Sequence, residues 1–284
     1  MRMVTRLSTT DHNRDIAGLR YVYPVLSRRA GGLSIGINVN TNNACNWRCV
    51  YCQVPNLTVG AAPDIDFSVL ADELRFFLND VIKGDFYERF QVDADKRIIK
   101  DIAISGNGEP TSAKEFAALI TLIGQIAHDA GILPGINVVL ITNGSLIQHV
   151  NVQQGLKQLH ALGGEVWFKL DSATASGRQK INNTRQSVAQ SVRNLRLAAE
   201  LCTTKIQTCL LDYAGNGYSD TEQAAYLAIL RELQDLPGLR EVMLYTLARP
   251  SLQPEAIYLK ALAPETMQYF AEAIRQLGFK VSIH

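Results

Sequence analysis

Cysteine is scarce in this chain, five in 284 residues, and the odd number, with three of the five crowded into one loop, excludes a framework of paired disulfides. Charge of one sign is lacking too. Twenty-eight basic side chains stand against 27 acidic ones for a formal charge of +1, so nothing demands a polyanionic partner. No apolar run is long enough to span a bilayer, no charged head followed by an apolar core opens the chain, and no lipidation signal is present, so no membrane role and a cytoplasmic location are expected. Repeats of fixed period, low-complexity tracts and Pro/Gly/Ser-rich linkers are missing as well, which favours one domain. The simplest division is an irregular N-terminal extension over residues 1–33 and a core domain over 34–284 that includes a C-terminal helix and strand.

What is present is an alternation of short β-branched runs with longer amphipathic stretches, the pattern of repeated βα units. Strands are expected at "LSIGINVNT", "IKDIAISG", "INVVLITN", "EVWFKLDS", "TKIQTCLLD" and "REVMLYTLA". Helices are expected at "SVLADELRFFLNDVI", "AKEFAALITLIGQIAHDAG", "VQQGLKQLHAL", "RQSVAQSVRNLRLAAEL" and "SDTEQAAYLAILRELQDL". Such units curl into a barrel or lie open in a doubly wound sheet, and both forms bind ligands at the carboxyl ends of the strands. "SGNGEPT", "TNGS", "KLDS" and "LARPS" all follow strands at that rim, and so does the cysteine loop.

That loop reads "TNNACNWRCVYCQVP", with Cys45, Cys49 and Cys52 at spacings of three and two intervening residues. Zinc would ask for a fourth ligand, yet the nearest histidines are His12 and His128, far from the loop in sequence. A 4Fe-4S cluster held by three cysteines keeps one iron open. Both readings stand on spacing alone, and a zinc-stabilised binding module without turnover is the alternative to an enzyme.

With Tyr51 immediately before the third cysteine, the loop resembles the cluster loop of radical S-adenosylmethionine (SAM) enzymes. The resemblance implies a 4Fe-4S cluster on Cys45, Cys49 and Cys52, SAM chelated to the open iron, and reductive cleavage to a 5'-deoxyadenosyl radical that acts on an unidentified substrate. It also implies an α/β fold, a partial (β/α)6 TIM-type barrel with parallel strands. "SGNGEPT" resembles the family's Gly-Glu-Pro motif, which assigns Gly108 and Glu109 to the SAM amino group; a turn capping a helix is the plainer alternative. By the same resemblance Asn143, Lys169, Asp171 and Ser172 contact the SAM ribose and carboxylate, although an Asn-Gly turn and a helix cap would use the same residues. Gln207 is expected to face the cofactor or to satisfy a buried backbone group, and Arg249 to stand near an anionic substrate group. Cys202 and Cys209 read as buried small hydrophobes.

"VLSRRAGGLSIGINVN", "SGNGEPT" and "YTLARPSLQPE" together resemble a subgroup of uncharacterised iron-sulfur oxidoreductases distantly related to wyosine-forming tRNA enzymes. Those relatives carry extra N-terminal cysteines, and residues 1–44 here contain none. Arg2, Arg6, Arg14, Arg20, Arg28 and Arg29 load the N-terminal segment with positive charge, partly offset by Asp11 and Asp15. The expected partners are a small molecule, a protein residue or a tRNA base as substrate, and an electron donor such as flavodoxin or ferredoxin.

Overall fold

A computed structural model describes residues 6–8, 14–27 and 31–284; Arg2, Asp11, Arg28 and Arg29 lie outside them. The strands are β1 (Val22–Ser27), β2 (Gly32–Asn38), β3 (Ala44–Cys45), β4 (Thr58–Val59), β5 (Ile99–Ser105), β6 (Asn137–Thr142), β7 (Glu165–Lys169), β8 (Thr203–Cys209), β9 (Leu211–Tyr213), β10 (Leu239–Tyr245), β11 (Leu259–Ala261) and β12 (Lys280–Ile283). The α-helices are α1 (Phe67–Lys83), α2 (Phe86–Arg89), α3 (Phe116–Asp129), α4 (Val150–Ala161), α5 (Ala175–Asn182), α6 (Val188–Leu201), α7 (Asp220–Leu233) and α8 (Pro264–Arg275).

Eight strands form one sheet in the order β1-β2-β5-β6-β7-β8-β10-β12. β1 runs antiparallel to β2, and every other neighbouring pair in the sheet is parallel. The six expected strands are therefore all found, side by side and in chain order. Among the described residues the edge strands β1 and β12 do not pair with each other, so the barrel is partial, as expected, and does not close.

Side chains alternate across a strand, and here the alternation separates two chemistries. Leu33, Ile35 and Ile37 of β2, Ile102 and Ile104 of β5, Val138 and Leu140 of β6, and Val166 and Phe168 of β7 belong to one continuous core with the helices. α1 answers with Leu70, Leu74, Phe77, Leu78 and Val81, a stripe at helical spacing, started by Asp66, whose side chain accepts from the Val69 N–H. Ser187 and Ser219 cap α6 and α7 in the same way. The intervening strand residues, Ser34, Gly36, Asp101, Ala103, Ser105, Trp167 and Lys169, face a cavity instead.

The N-terminal segment, read from sequence as irregular, contains β1. Pro24 lies inside it and removes one backbone donor, which a strand with a neighbour on only one side tolerates. β1 matters to the cavity because the ring of Tyr23 lies over Gly36, where a Cβ would stand 2.2 Å from the ring, and its hydroxyl shares a 2.9 Å hydrogen bond with Ser105 Oγ.

Candidate active site

The cysteine loop leaves β2 and is shaped by asparagines. Asn38 Oδ1 accepts from the N–H of Asn40 at 3.1 Å and of Asn107 at 2.9 Å, joining this loop to the one after β5. Asn43 adopts φ 54° and donates from Nδ2 to Pro55 O at 3.1 Å, so the loop is closed on itself. Asn tolerates this left-handed conformation better than most residues.

Each cysteine sulfur meets an N–H. Trp47 N lies 3.5 Å from Cys45 Sγ, Val54 N 3.5 Å from Cys52 Sγ, and Asn182 Nδ2 3.3 Å from Cys49 Sγ. Distant segments fix the loop from outside. Val50 N–H donates to Ile181 O at 2.8 Å, Ser251 Oγ donates to Val50 O at 2.7 Å, and the Leu252 N–H donates to Cys52 O at 3.0 Å. Arg48 grips Glu255 through both guanidinium ends at 2.8 and 2.6 Å, the bidentate geometry that makes such pairs directional.

The three cysteines line the same cavity, about 350 Å³, above the inward side chains of the sheet. Burial pushes the Cys45 thiol up to about 12, with the Trp47 N–H opposing and Glu109 adding to the rise. It pushes Cys49 up to about 11, Asp171 adding and Lys169 and Asn182 opposing, and it raises Cys52 as well. Three half-buried thiols whose pKa values are all raised are therefore poor bare thiolates, and a cationic centre is what would hold them deprotonated. Among the described residues no three His, Cys, Asp or Glu side chains converge as a single metal ion would need. Three thiols that open on one cavity, each with an N–H aimed at its sulfur, are a donor set that would fit a metal-sulfur group.

Gly108, Glu109, Asn143 and Lys169 stand on the wall of this cavity. At Gly108 a Cβ would lie 2.0 Å from Ala44 O, so the glycine lets the β5 loop press against the cysteine loop. Glu109 is 2% exposed. Its carboxylate accepts from Thr111 N and Oγ1, from Thr142 Oγ1 at 2.6 Å and from Asn143 N at 2.6 Å, which ties the β5 loop to the β6 loop; burial raises its pKa against those bonds. Asn143 Nδ2 in turn donates to Asn46 Oδ1 at 2.8 Å. Lys169 donates to Tyr245 OH at 2.6 Å and lies 3.8 Å from Asp171 Oδ1. Burial works against its charge, but Asp171 and then Tyr245 outweigh it, and the pKa moves up.

The other three sequence candidates are not on that wall. Asp171 is buried behind it, accepting from Tyr51 OH, from Asn182 Nδ2 at 2.7 Å and from Cys209 N at 2.9 Å. Ser172 turns to Glu222 at 2.9 Å, away from the cysteines and beside a smaller pocket of about 220 Å³. Gln207 is 2% exposed on the inner side of β8, with no partner for Nε2 among the described residues. Cys202 and Cys209 are buried, and Cys209 also lines the cavity. Arg249 lines it too and donates to Gln53 Oε1 at 3.1 Å.

Sequence reasoning missed Asn182, Tyr245, Trp167, Tyr23 and Arg14, the last of which stands 5.5 Å over the Tyr23 ring. The polar and small residues alternating with aliphatics in "LSIGIN" and "DIAIS" were the available signal for an open inner face.

The family model of the Radical SAM superfamily matches residues 39–228. Among curated proteins, one named GTPase Obg from Brachyspira hyodysenteriae is 32% identical over 133 residues, 47% of this chain and 17% of that protein. The chain spans about half or less of the length of the curated relatives it matches. A radical SAM methyltransferase from Sphaerobacter thermophilus shares the fold with a TM-score of 0.63 at 15% identity, over 95% of this chain and 70% of that one. TYW1 with a lysine-pyruvate adduct bound superposes with a TM-score of 0.56 at 17% identity, over 86% of this chain and 73% of that one. Among the described residues no helix is long and apolar enough to cross a membrane.

Proposed function

Because the chain belongs to the Radical SAM superfamily, whose enzymes use a 4Fe-4S cluster and SAM, we propose that Cys45, Cys49 and Cys52 hold three irons of that cluster and leave the fourth to SAM. The observation that carries this reading is the set of three half-buried cysteines, each sulfur met by an N–H, opening together into one cavity over the inner face of the sheet. The cluster, when bound, supplies the electron that cleaves SAM to a 5'-deoxyadenosyl radical.

The chain's own residues do the holding and shielding. Lys169 keeps a positive charge at neutral pH and is our candidate for the SAM carboxylate. Gly108 and Asn143 bring backbone and amide to the same wall, and Glu109 fixes the two loops that carry them. Asp171 acts from behind, through Tyr51 and Asn182. Ser172, turned to Glu222, is not given a SAM contact. Tyr23, Trp167 and Tyr245 wall the cavity and exclude water from a reactive radical. We propose a small molecule, a protein residue or a tRNA base as substrate, flavodoxin or ferredoxin as electron donor, and the cytoplasm as the compartment; the resemblance of "SGNGEPT" and "YTLARPSLQPE" to a subgroup related to wyosine-forming tRNA enzymes is the reason to include tRNA in a substrate screen.

The test is anaerobic reconstitution, metal and sulfide analysis, and mass spectrometry of SAM products after dithionite reduction. About four irons with matching sulfide and accumulation of 5'-deoxyadenosine are expected, and both should be lost in Cys52→Ala. Methylthioadenosine alone would move cleavage to another sulfonium bond. One zinc with no iron would overturn the cluster reading in favour of a binding module.

A further inference from the structure

The three sulfurs are not supplied alike. Cys45 and Cys52 each take an N–H from the residue two places downstream, Trp47 and Val54. Cys49 takes its donor from Asn182, 133 positions away, at 3.3 Å. Asn182 is the last residue of α5, is 0% exposed, and is held at the loop by its neighbours. Ile181 O accepts from the Val50 N–H, and Asn183 Nδ2 donates to Arg48 O at 2.9 Å.

The orientation of its amide is fixed by chemistry. Asn182 Nδ2 also donates to Asp171 Oδ2 at 2.7 Å, and turning the amide over would set a carbonyl oxygen against a carboxylate. Asp171 is itself anchored by the Cys209 N–H and by Tyr51 OH. The second N–H of Asn182 is thereby aimed at sulfur, inside a cavity wall where a dipole is weakly screened.

Resting on the cluster reading above, we infer that Asn182, oriented by Asp171, donates a hydrogen bond to the Cys49 sulfur that raises the reduction potential of the bound cluster. An electron added to a cluster increases the negative charge on its sulfurs, and an N–H pointed at one of them stabilises the reduced form more than the oxidised form. Asn182 is a positioning residue in this account, acting through Cys49.

The test is a redox titration followed by electron paramagnetic resonance on the reconstituted full chain. Wild type is measured first, because a wild type that takes up no 4Fe-4S cluster defeats the cluster reading and not the role of Asn182. Asn182→Leu removes the donor at similar volume, and Asn182→Ala removes it with less bulk in case leucine disturbs folding. In either variant the potential should move to a more negative value, with the reduced-to-oxidised ratio at fixed poise falling about two- to tenfold, the range expected for one hydrogen bond. Asn182→Gln, which keeps a carboxamide, should recover part of the shift. An unchanged or more positive potential in a four-iron variant overturns the inference, and so does a folded variant that no longer holds four irons, which would make Asn182 part of cluster retention.

Discussion

The two faces of the sheet are built from the same strands and have opposite purposes. On the helix side, Leu33, Ile35, Ile37, Ile102, Ile104 and Phe168 are each 0% exposed and packed into one core. On the inner side, Ser34 hydrogen-bonds Asp101, Lys205 lies 3.0 Å from Glu165 and 3.8 Å from Glu241, and the Trp167 indole N–H donates to Glu165 at 2.7 Å. The helix face excludes water, and the inner face opens on the cavity. Only the helix face is filled, whereas the inner face spends its burial on polar groups that cost stability unless paired. Stability and site chemistry are thus divided by strand parity: one residue outward serves the fold, the next inward serves the cavity.

The largest blow to this division is expected from Phe168→Ala on the filled face. Urea unfolding should show a loss of about 3–5 kcal/mol, while the rate of SAM cleavage per folded molecule stays near wild type. A stability change under about 1 kcal/mol would show that the helix face is not the one that carries the fold. Next in size is Gly108→Ala on the cysteine side. The new Cβ, 2.0 Å from Ala44 O and 2.6 Å from Asn40 Nδ2, should cost about 1–3 kcal/mol of strain and, unlike Phe168→Ala, reduce iron content; full iron loading would mean the two loops do not need their close approach.

Smallest near pH 8, and growing only as pH rises above 9, is the pH response of the apo chain. Cys45 and Cys49 rise from the ordinary thiol value of 9.0 to about 12 and about 11, so the folded chain binds more protons than the unfolded chain between those values. Stability then falls as pH rises through that window, since unfolding releases protons. Thermal melts from pH 8 to 11 should show Tm declining more steeply above pH 9 in wild type than in a Cys45→Ser, Cys49→Ser double variant. Equal slopes would mean that the thiols are less buried than the structure has them.

Much of the fold was legible because each parallel strand and its helix carries its own period. α8 and β12, expected from "APETMQYFAEAIRQLGFKVSIH", form at Pro264–Arg275 and Lys280–Ile283. β1 was hidden by Pro24 and by having a single neighbour to justify it. α5 was hidden for a different reason. Its buried residues are Arg178 and Asn182, so no apolar stripe marks it, and the guanidinium of Arg178 packs over the Trp47 ring at 5.2 Å. The cysteines were readable as candidates because their spacing is local. Asn182, Tyr245 and Trp167 were not, since their place at the site depends on contacts between residues far apart in the chain.

The grip of Glu255, Leu252 and Ser251 on the cysteine loop also sets a clock. A loop whose last cysteine is residue 52 obtains these supports only after about 200 further residues have been made, which at ordinary rates of synthesis takes roughly 10–40 s. Over that interval the nascent chain presents three thiols without their final enclosure, and the closing of the cysteine pocket waits on the synthesis of residues 251–255.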